Sequence, residues 1–302
     1  MSHGADSIKT IFFALGANLA IACAKLAAAV VTSSGAMFAE AIHSVADTGN
    51  QVLLLIGLKR ARLPPSAEHP LGYGKAIYFW SFLVALILFS IGGLVSVYEG
   101  LHKLAHPEPL RAPLLAVGVL VFSVVAESVS MWGCLREVNK VRGGRSLWRW
   151  FRETRQSELL VVFAEDSAAL FGLTLALAAV VLTITTGDPR YDAIGTLCIG
   201  ALLVAIALFV GVEIKALLIG QGVDVAVDAE MRAFLLARPE VAGLYNLLTL
   251  QLGDRVMVAV KARMAPCPSA DALVAAINTV EAAFRAQFAD VLWLFFEPDN
   301  ED

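Results

Sequence analysis

The sequence predicts a helical membrane protein with a small α+β domain at its carboxyl end. Of its 302 residues, 58% are hydrophobic and only 17% are charged, and the long hydrophobic runs lie before about residue 220. A typical soluble domain has roughly 45–50% apolar and about 25% charged residues. We therefore expect an all-α polytopic membrane domain with six transmembrane helices over residues 1–220. We expect a ferredoxin-like cytoplasmic domain over residues 221–302.

Six segments are long and apolar enough to cross a bilayer as helices, which takes about 20 residues each. They are residues 8–31, 36–58, 76–100, 113–134, 158–186 and 191–219. Short turns at 32–35 and 187–190 join the first segment to the second and the fifth to the sixth. Each of these two pairs is therefore expected to form an antiparallel hairpin.

Lysine and arginine are concentrated in two loops, 59–75 and 135–157. Because basic residues of short loops stay in the cytoplasm, both loops and both termini are predicted to be cytoplasmic. A role in binding nucleic acid is not expected so close to a membrane. The arginine- and tryptophan-rich stretch 146–152 is either a short helix at the headgroup level or only a determinant of topology. The composition and short loops favour a bacterial cytoplasmic membrane.

The last 80 or so residues have the patterning of a soluble domain. Residues 228–238 and 269–288 have helical periodicity, and residues 245–252, 255–263 and 291–296 have the composition of strands, with Gly253-Asp254 as a turn. An α-β-β-α-β order of this length is typical of a ferredoxin-like sandwich.

Ionisable side chains at membrane depth are costly and mark functional sites. The predicted helices contain Lys25, Glu40, His43, Asp47, Glu127, Glu165 and Asp166. His43 and Asp47 are four residues apart, so they share one helix face. An imidazole and a carboxylate in this arrangement can bind one small dication, although a buried hydrogen-bonded pair is an equal alternative.

The remaining acids lie on the fourth and fifth predicted helices. Glu165 and Asp166 are adjacent, so they point about 100° apart and at most one is expected to face a given site. Carboxylates on three helices with one lysine leave a negative cavity that must hold protons or a cation. The alternative for Glu127 and Glu165 is a protonated, structural role. Lys25 is interpreted as the partner of one of these acids, or as a lysine that reaches the interface.

Several motifs resemble those of the cation diffusion facilitator family. Residues 34–47 (SGAMFAEAIHSVAD) are similar to the second helix of that family, whose metal-binding HxxxD pattern falls on His43 and Asp47. Residues 69–75 (HPLGYGK) resemble its HPxGYGK loop, and Tyr191-Asp192 fits the start of its sixth helix. Residues 165–172 (EDSAALFG) resemble the fifth helix of the branch that contains human zinc transporter nine. The resemblance covers nearly the whole chain.

This resemblance implies a homodimer that exports a divalent cation from the cytoplasm by proton-coupled alternating access. The expected substrates are protons and zinc, with manganese, iron and cobalt as alternatives, and no resident cofactor or enzymatic activity is expected. Two rival hypotheses are a proton-coupled carrier of an organic cation and a non-transporting membrane sensor or scaffold.

The sequence departs from the family pattern at two places. Val162 stands where a His or Asp ligand is usual, so we expect Glu127 or Glu165 to complete a set formed with His43, Asp47 and Asp166. Tyr73 stands where some members have a loop histidine, and the tail after residue 222 has no histidine. The resemblance therefore implies that the tail serves dimerisation more than metal sensing.

Overall fold

The computed structural model describes the backbone of residues 3–301 and the side chains of residues 18–301. The first part of the chain is helical: α1 His3–Thr32, α2 Gly35–Ala61, α3 Ala76–Ile87, α4 Val95–Ala105, α5 Pro113–Val141, α6 Leu147–Glu153, α7 Ser157–Thr186 and α8 Arg190–Ile219. The tail contains α9 Val225–Leu236, β1 Val241–Leu252, β2 Arg255–Met264, α10 Ala270–Gln287 and β3 Val291–Pro298. The prediction of a mostly helical chain with a small α+β tail is confirmed.

Four stretches of the described chain are long and apolar enough to cross a membrane: Ala76–Ala105, Pro113–Val141, Ser157–Thr186 and Arg190–Ile219. The two other predicted spans are helices as well. The apolar stretch of α1 within the residues with described side chains, Asn18–Thr32, is shorter. Helix α2 carries Glu40, Asp47, Lys59 and Arg60, and these charges make it less apolar than an ordinary span. The six-span arrangement therefore stays a prediction.

A π-helical segment, Leu88–Leu94, joins α3 to α4 in one continuous helix. This helix lies very close to α8, because a methyl group on Gly200 would be 2.7 Å from the backbone nitrogen of Val97. A methyl group on Gly93 would likewise be 2.6 Å from Cγ2 of Val204. Small residues that allow backbones to approach are typical of packing between membrane helices.

Alanine dominates the core of the helical part. The buried cluster draws on α1, α2, α5, α7, α8 and the π-helical segment, and its members include Ala28, Ala29, Ala36, Ala39, Ala41, Ala116, Ala168, Ala176, Ala179 and Ala207. Because these side chains are short, the helices pack closely, and the polar residues on α1, α2, α5 and α7 come near one another.

The tail has a three-stranded sheet in the order β1-β2-β3, in which β1 pairs antiparallel and β3 parallel with β2. The predicted turn is confirmed: Leu252 pairs with Arg255, and Gly253 has a φ of 70°, which favours glycine. Strand β1 begins at Val241, before the predicted residue 245. Two irregularities in its register, at 241–243 and 244–246, interrupt the alternation on which the prediction depended.

The chain divides into two compact units. The first contains Met1–Ile56, Trp80–Trp148 and Glu158–Glu213, and the second contains Gly57–Phe79, Arg149–Ser157 and Ile214–Asp302. Within the second unit, the backbone N–H of Gly253 donates to the Tyr78 hydroxyl at 3.0 Å, and Trp293 Nε1 donates to the carbonyl of Leu71 at 3.4 Å. The loop after α2 therefore packs on the sheet. The boundary at residue 220 stays a prediction.

The predicted short helix of the second basic loop is present as α6. Its Trp150 and Phe151 are buried, whereas Trp148 is 63% exposed. Two of its three aromatic side chains therefore pack inside the protein, and the exposed Trp148 contacts the ring of Phe209 edge-on, with 5.6 Å between the ring centroids.

Candidate metal site

Four carboxylates from three helices line one cavity in the helical unit. Asp47 extends from α2, Glu127 from α5, and Glu165 and Asp166 from α7. The cavity has a volume of about 40 Å³, which is enough for a metal ion or a few water molecules. The rest of its lining is mostly polar: Asn18, Ile21, Ser44, Gln51, Ser130, Val162 and Ala169.

His43 is fully buried next to Asp47. Its Nδ1 lies 3.4 Å from Asp47 Oδ1, so the predicted contact between positions i and i+4 of one helix is confirmed. Among the described residues, neither ring nitrogen has a hydrogen-bond partner. A buried polar group without a partner is costly and calls for an explanation. A metal ion bound by one of the ring nitrogens would supply such a partner.

The adjacent acids Glu165 and Asp166 turn toward different helices. Asn50 of α2 donates a hydrogen bond of 2.6 Å to Glu165 Oε1. Ser130 of α5 lies 3.3 Å from each carboxylate oxygen of Asp166. Which of the two faces a bound ion squarely stays a prediction. Side chains about 100° apart on α7 border the same cavity from its two sides.

Lys25 and Glu40 form a buried ion pair beside this cavity. Lys25 Nζ lies 3.5 Å from Glu40 Oε2 and donates a hydrogen bond of 2.8 Å to Ser44 Oγ. Both side chains are fully buried, which confirms the interpretation of Lys25 as the partner of an acid rather than a residue that reaches the interface. A methyl group on Gly172 of α7 would clash with Glu40 Oε1.

The predicted ligands lie in one region but do not form a closed coordination shell. Within residues 18–301, no three His, Cys, Asp or Glu side chains are arranged to hold a metal ion. Val162, the position at which the resemblance predicts a replaced ligand, lines the cavity. Asn18 of α1 also lines it and was missed by the sequence analysis. An amide within an apolar segment was its only signal.

Comparison with known proteins identifies the family of the chain. Residues 11–219 match the family model described as the cation efflux transmembrane domain. The chain is 33% identical over 231 residues to the proton-coupled zinc antiporter SLC30A9, mitochondrial, of Xenopus laevis, an alignment that covers 76% of this chain and 41% of that protein. It is 31% identical over 242 residues to metal tolerance protein C4 of Arabidopsis thaliana. This alignment covers 80% of this chain and 53% of that protein.

A bacterial relative is more distant but is matched over more of its length. The chain is 23% identical over 257 residues to the zinc transporter ZitB of Pectobacterium atrosepticum, covering 84% of this chain and 75% of that protein. In contrast, the chain spans only about two fifths of the length of the SLC30A9 protein. These homologues are transporters and not enzymes. On this evidence, the chain is an integral membrane protein that belongs to the cation diffusion facilitator family, the cation efflux family of metal transporters.

Proposed function

We propose that this protein exports zinc, or a similar divalent cation, from the cytoplasm in exchange for protons by alternating access. The observation that carries the proposal is the cavity lined by four carboxylates, next to a buried imidazole that has no hydrogen-bond partner within residues 18–301. Carboxylate and imidazole ligands suit zinc, manganese, iron and cobalt. Zinc is preferred because one relative is named a zinc antiporter and another a zinc transporter.

The size of the cavity favours a metal ion over an organic cation. Pockets for small organic molecules have volumes of roughly 300–1,000 Å³, whereas this cavity has about 40 Å³. A bare or partly hydrated ion fits such a space, and a bulky ammonium compound does not. The metal is cargo, and no resident cofactor takes part.

We infer that the ligands are His43, Asp47 and Asp166 together with Glu127 or Glu165. The absence of a closed shell among the described side chains fits a carrier in which binding draws α2, α5 and α7 together. Metal binding requires a neutral imidazole and ionised carboxylates, so protons compete for the same atoms. This competition is the physical basis for exchange of metal against protons.

The proposed architecture has six spans, with α1 and α2 as the first two and both termini in the cytoplasm. The boundary between the membrane domain and the tail is placed at residues 220 and 221. The α-β-β-α-β order of the tail supports a ferredoxin-like domain, and we assign it the role of holding two copies of the chain together. We place the protein in a bacterial cytoplasmic membrane, with a mitochondrial membrane as the alternative that the name of the SLC30A9 relative raises.

Flux measurements in liposomes test the proposal. The purified chain is reconstituted, and uptake of Zn²⁺ and Mn²⁺ is followed under an imposed pH gradient, next to Asp47→Asn and the control Glu108→Gln. Asp47 lines the cavity, whereas Glu108 is exposed in a loop.

Loss of flux in Asp47→Asn alone supports the carrier and its site, and the ratio of the two fluxes identifies the preferred metal. If a folded, oriented protein moves neither ion, the proposal fails. Flux of an organic cation, or metal binding without flux, would then support one of the two rival hypotheses.

A further inference from the structure

The Lys25–Glu40 pair lies in the helical unit but contributes no ligand to the proposed site. Its Nζ–Oε2 distance of 3.5 Å is longer than the 2.7–2.9 Å that is typical of a charge-assisted hydrogen bond. The short hydrogen bond of Lys25, at 2.8 Å, goes to Ser44. Ser44 itself lines the cavity, so the ammonium group is one hydrogen bond away from the cavity wall.

The Glu40 carboxylate is held in a confined position. It is fully buried, and neither of its oxygens has a hydrogen-bond partner among the described residues. Its Oε1 lies against Gly172 of α7, at a place that the side chain of any larger residue at position 172 would fill. A buried carboxylate without a counter-ion is strongly unfavourable, and the ammonium of Lys25, 3.5 Å away, supplies the opposite charge beside it.

Both charges act on the acids of the cavity. The ammonium of Lys25 is hydrogen-bonded to Ser44, which lines the cavity together with Asp47 and Glu127. At this place it attracts both carboxylates, and the carboxylate of Glu40 repels them. Charges interact more strongly inside a protein than in water. A cation bound between these acids would therefore be repelled by Lys25 and attracted by Glu40.

We propose that Lys25 is a tethered cation that weakens metal binding in the neighbouring cavity and thereby speeds release, and that Glu40 is the positioning residue that sets the strength of this effect. The inference rests on the proposed metal site. In the empty carrier, the ammonium compensates part of the negative charge of the cavity. When a dication binds, the same ammonium opposes it, which prevents the four carboxylates from holding the ion too tightly.

Removing the two charges one at a time is expected to shift metal affinity in opposite directions. Lys25→Met lowers the Kd about tenfold or more, and it lowers both KM and the maximal transport rate because release becomes slow. Glu40→Gln leaves the ammonium without its counter-ion and raises the Kd about tenfold or more. The double variant Lys25→Met/Glu40→Gln removes both charges and returns the Kd to within about threefold of the original value.

The test uses isothermal titration calorimetry to measure the Kd of the purified full chain and its variants for Zn²⁺ and for Mn²⁺. Asp47→Asn and Glu108→Gln are measured alongside. Lys25→Gln, which retains a hydrogen-bond donor for Ser44, covers the case in which Lys25→Met does not fold. It is expected to tighten binding in the same direction.

Shifts of the same sign in the lysine and glutamate variants, or unchanged Kd values in both, would overturn the inference and leave Lys25 and Glu40 with a purely structural role. The affinity of the Asp47→Asn variant tests the proposed metal site itself. If Asp47→Asn binds metal as well as the original chain does, the metal site is wrong, and the inference falls with it.

Discussion

The carboxylate of Asp192, at the start of α8, accepts a hydrogen bond of 2.6 Å from the backbone N–H of Gly35. It also accepts hydrogen bonds from the hydroxyl of Ser34 at 2.5 Å and from the N–H of Ala36 at 3.3 Å. Lys103 lies 3.7 Å from the same carboxylate. A side chain of α8 therefore caps the amino end of α2, the helix that carries His43 and Asp47. A negative charge there satisfies free N–H groups and complements the helix dipole.

Replacing this cap is expected to destabilise the helical unit. Asp192→Asn removes the charge and weakens a buried set of hydrogen bonds, which costs about 1–3 kcal/mol. Thermal unfolding in detergent measures the loss, with Glu108→Gln as the control that removes an exposed carboxylate. Equal unfolding temperatures for Asp192→Asn and the control would show that the cap contributes nothing measurable.

Because α8 lies very close to the helix Ala76–Ala105, we expect that Gly200 of α8 cannot be replaced by a larger residue without loss of stability. In Gly200→Ala, the new methyl group would meet the backbone nitrogen of Val97 at 2.7 Å, so the two helices must separate. We expect a loss of stability and of transport, because overpacking in a tight interface costs about 1–3 kcal/mol. Gly118→Ala in α5 is the matched control, since no atom lies within 4 Å of its added methyl group. Equal behaviour of the two variants in thermal unfolding contradicts the prediction.

In the proposed exchange, protons and metal compete for His43 as well as for the carboxylates. His43→Ala is expected to lower the rate of metal flux and to flatten its dependence on pH, because the buried imidazole next to Asp47 is lost. The measurement is flux in liposomes over a series of pH values, with Glu108→Gln alongside. A variant that is slower but keeps the original pH dependence would assign the exchanged proton to a carboxylate.

The fourth ligand is tested by neutralising both candidates. In Glu127→Gln/Glu165→Gln, the cavity keeps its shape but loses two of its four carboxylates. We expect metal affinity to fall by at least about tenfold, which corresponds to 1.4 kcal/mol. The single variants then show which glutamate binds. In Glu165→Gln, the amide oxygen can still accept the hydrogen bond that Asn50 donates to Glu165, so the variant removes the charge and not this contact. Unchanged affinity and flux in the double variant would exclude both glutamates.

The tail contains an ion pair whose contribution depends on pH. Lys261 Nζ lies 3.1 Å from Asp299 Oδ2. The hydrogen bond from Lys261, with those from the N–H groups of Asn300 and Glu301, lowers the pKa of Asp299. A carboxyl group with a lowered pKa stabilises the folded state above its unfolded pKa, about 3.9 for aspartate. That stabilisation is lost as the pH falls through the folded value.

Asp299→Asn is therefore expected to lower the unfolding temperature slightly at neutral pH. The difference from the original chain should shrink as the pH is lowered past about 3.9, because the original aspartate then becomes protonated as well. Thermal unfolding at a series of pH values measures this, with Asp254→Asn in the exposed β1–β2 turn as the control. A difference that stays constant with pH would contradict the assigned role of the ion pair.

Local patterns determined the helices, the α-β-β-α-β order of the tail and the pairing of His43 with Asp47. Helical periodicity puts positions i and i+4 on one face whatever the rest of the fold does. The same local view did not show that both Glu165 and Asp166 line the cavity. Their 100° separation on the helix was correct, but the width and position of the cavity between α2 and α5 cannot be derived from one helix alone.

By itself, therefore, the sequence determined the helical membrane character of the protein, its motifs and the set of ionisable residues within the predicted spans. Only the tertiary structure decided which of them meet: four acids around one cavity, Lys25 against Glu40, and Asp192 on the end of α2 across 157 positions of sequence. Such contacts depend on how closely the alanine- and glycine-rich helix faces approach each other. The packing of helices far apart in the chain sets these distances, and local periodicity contains no information about it.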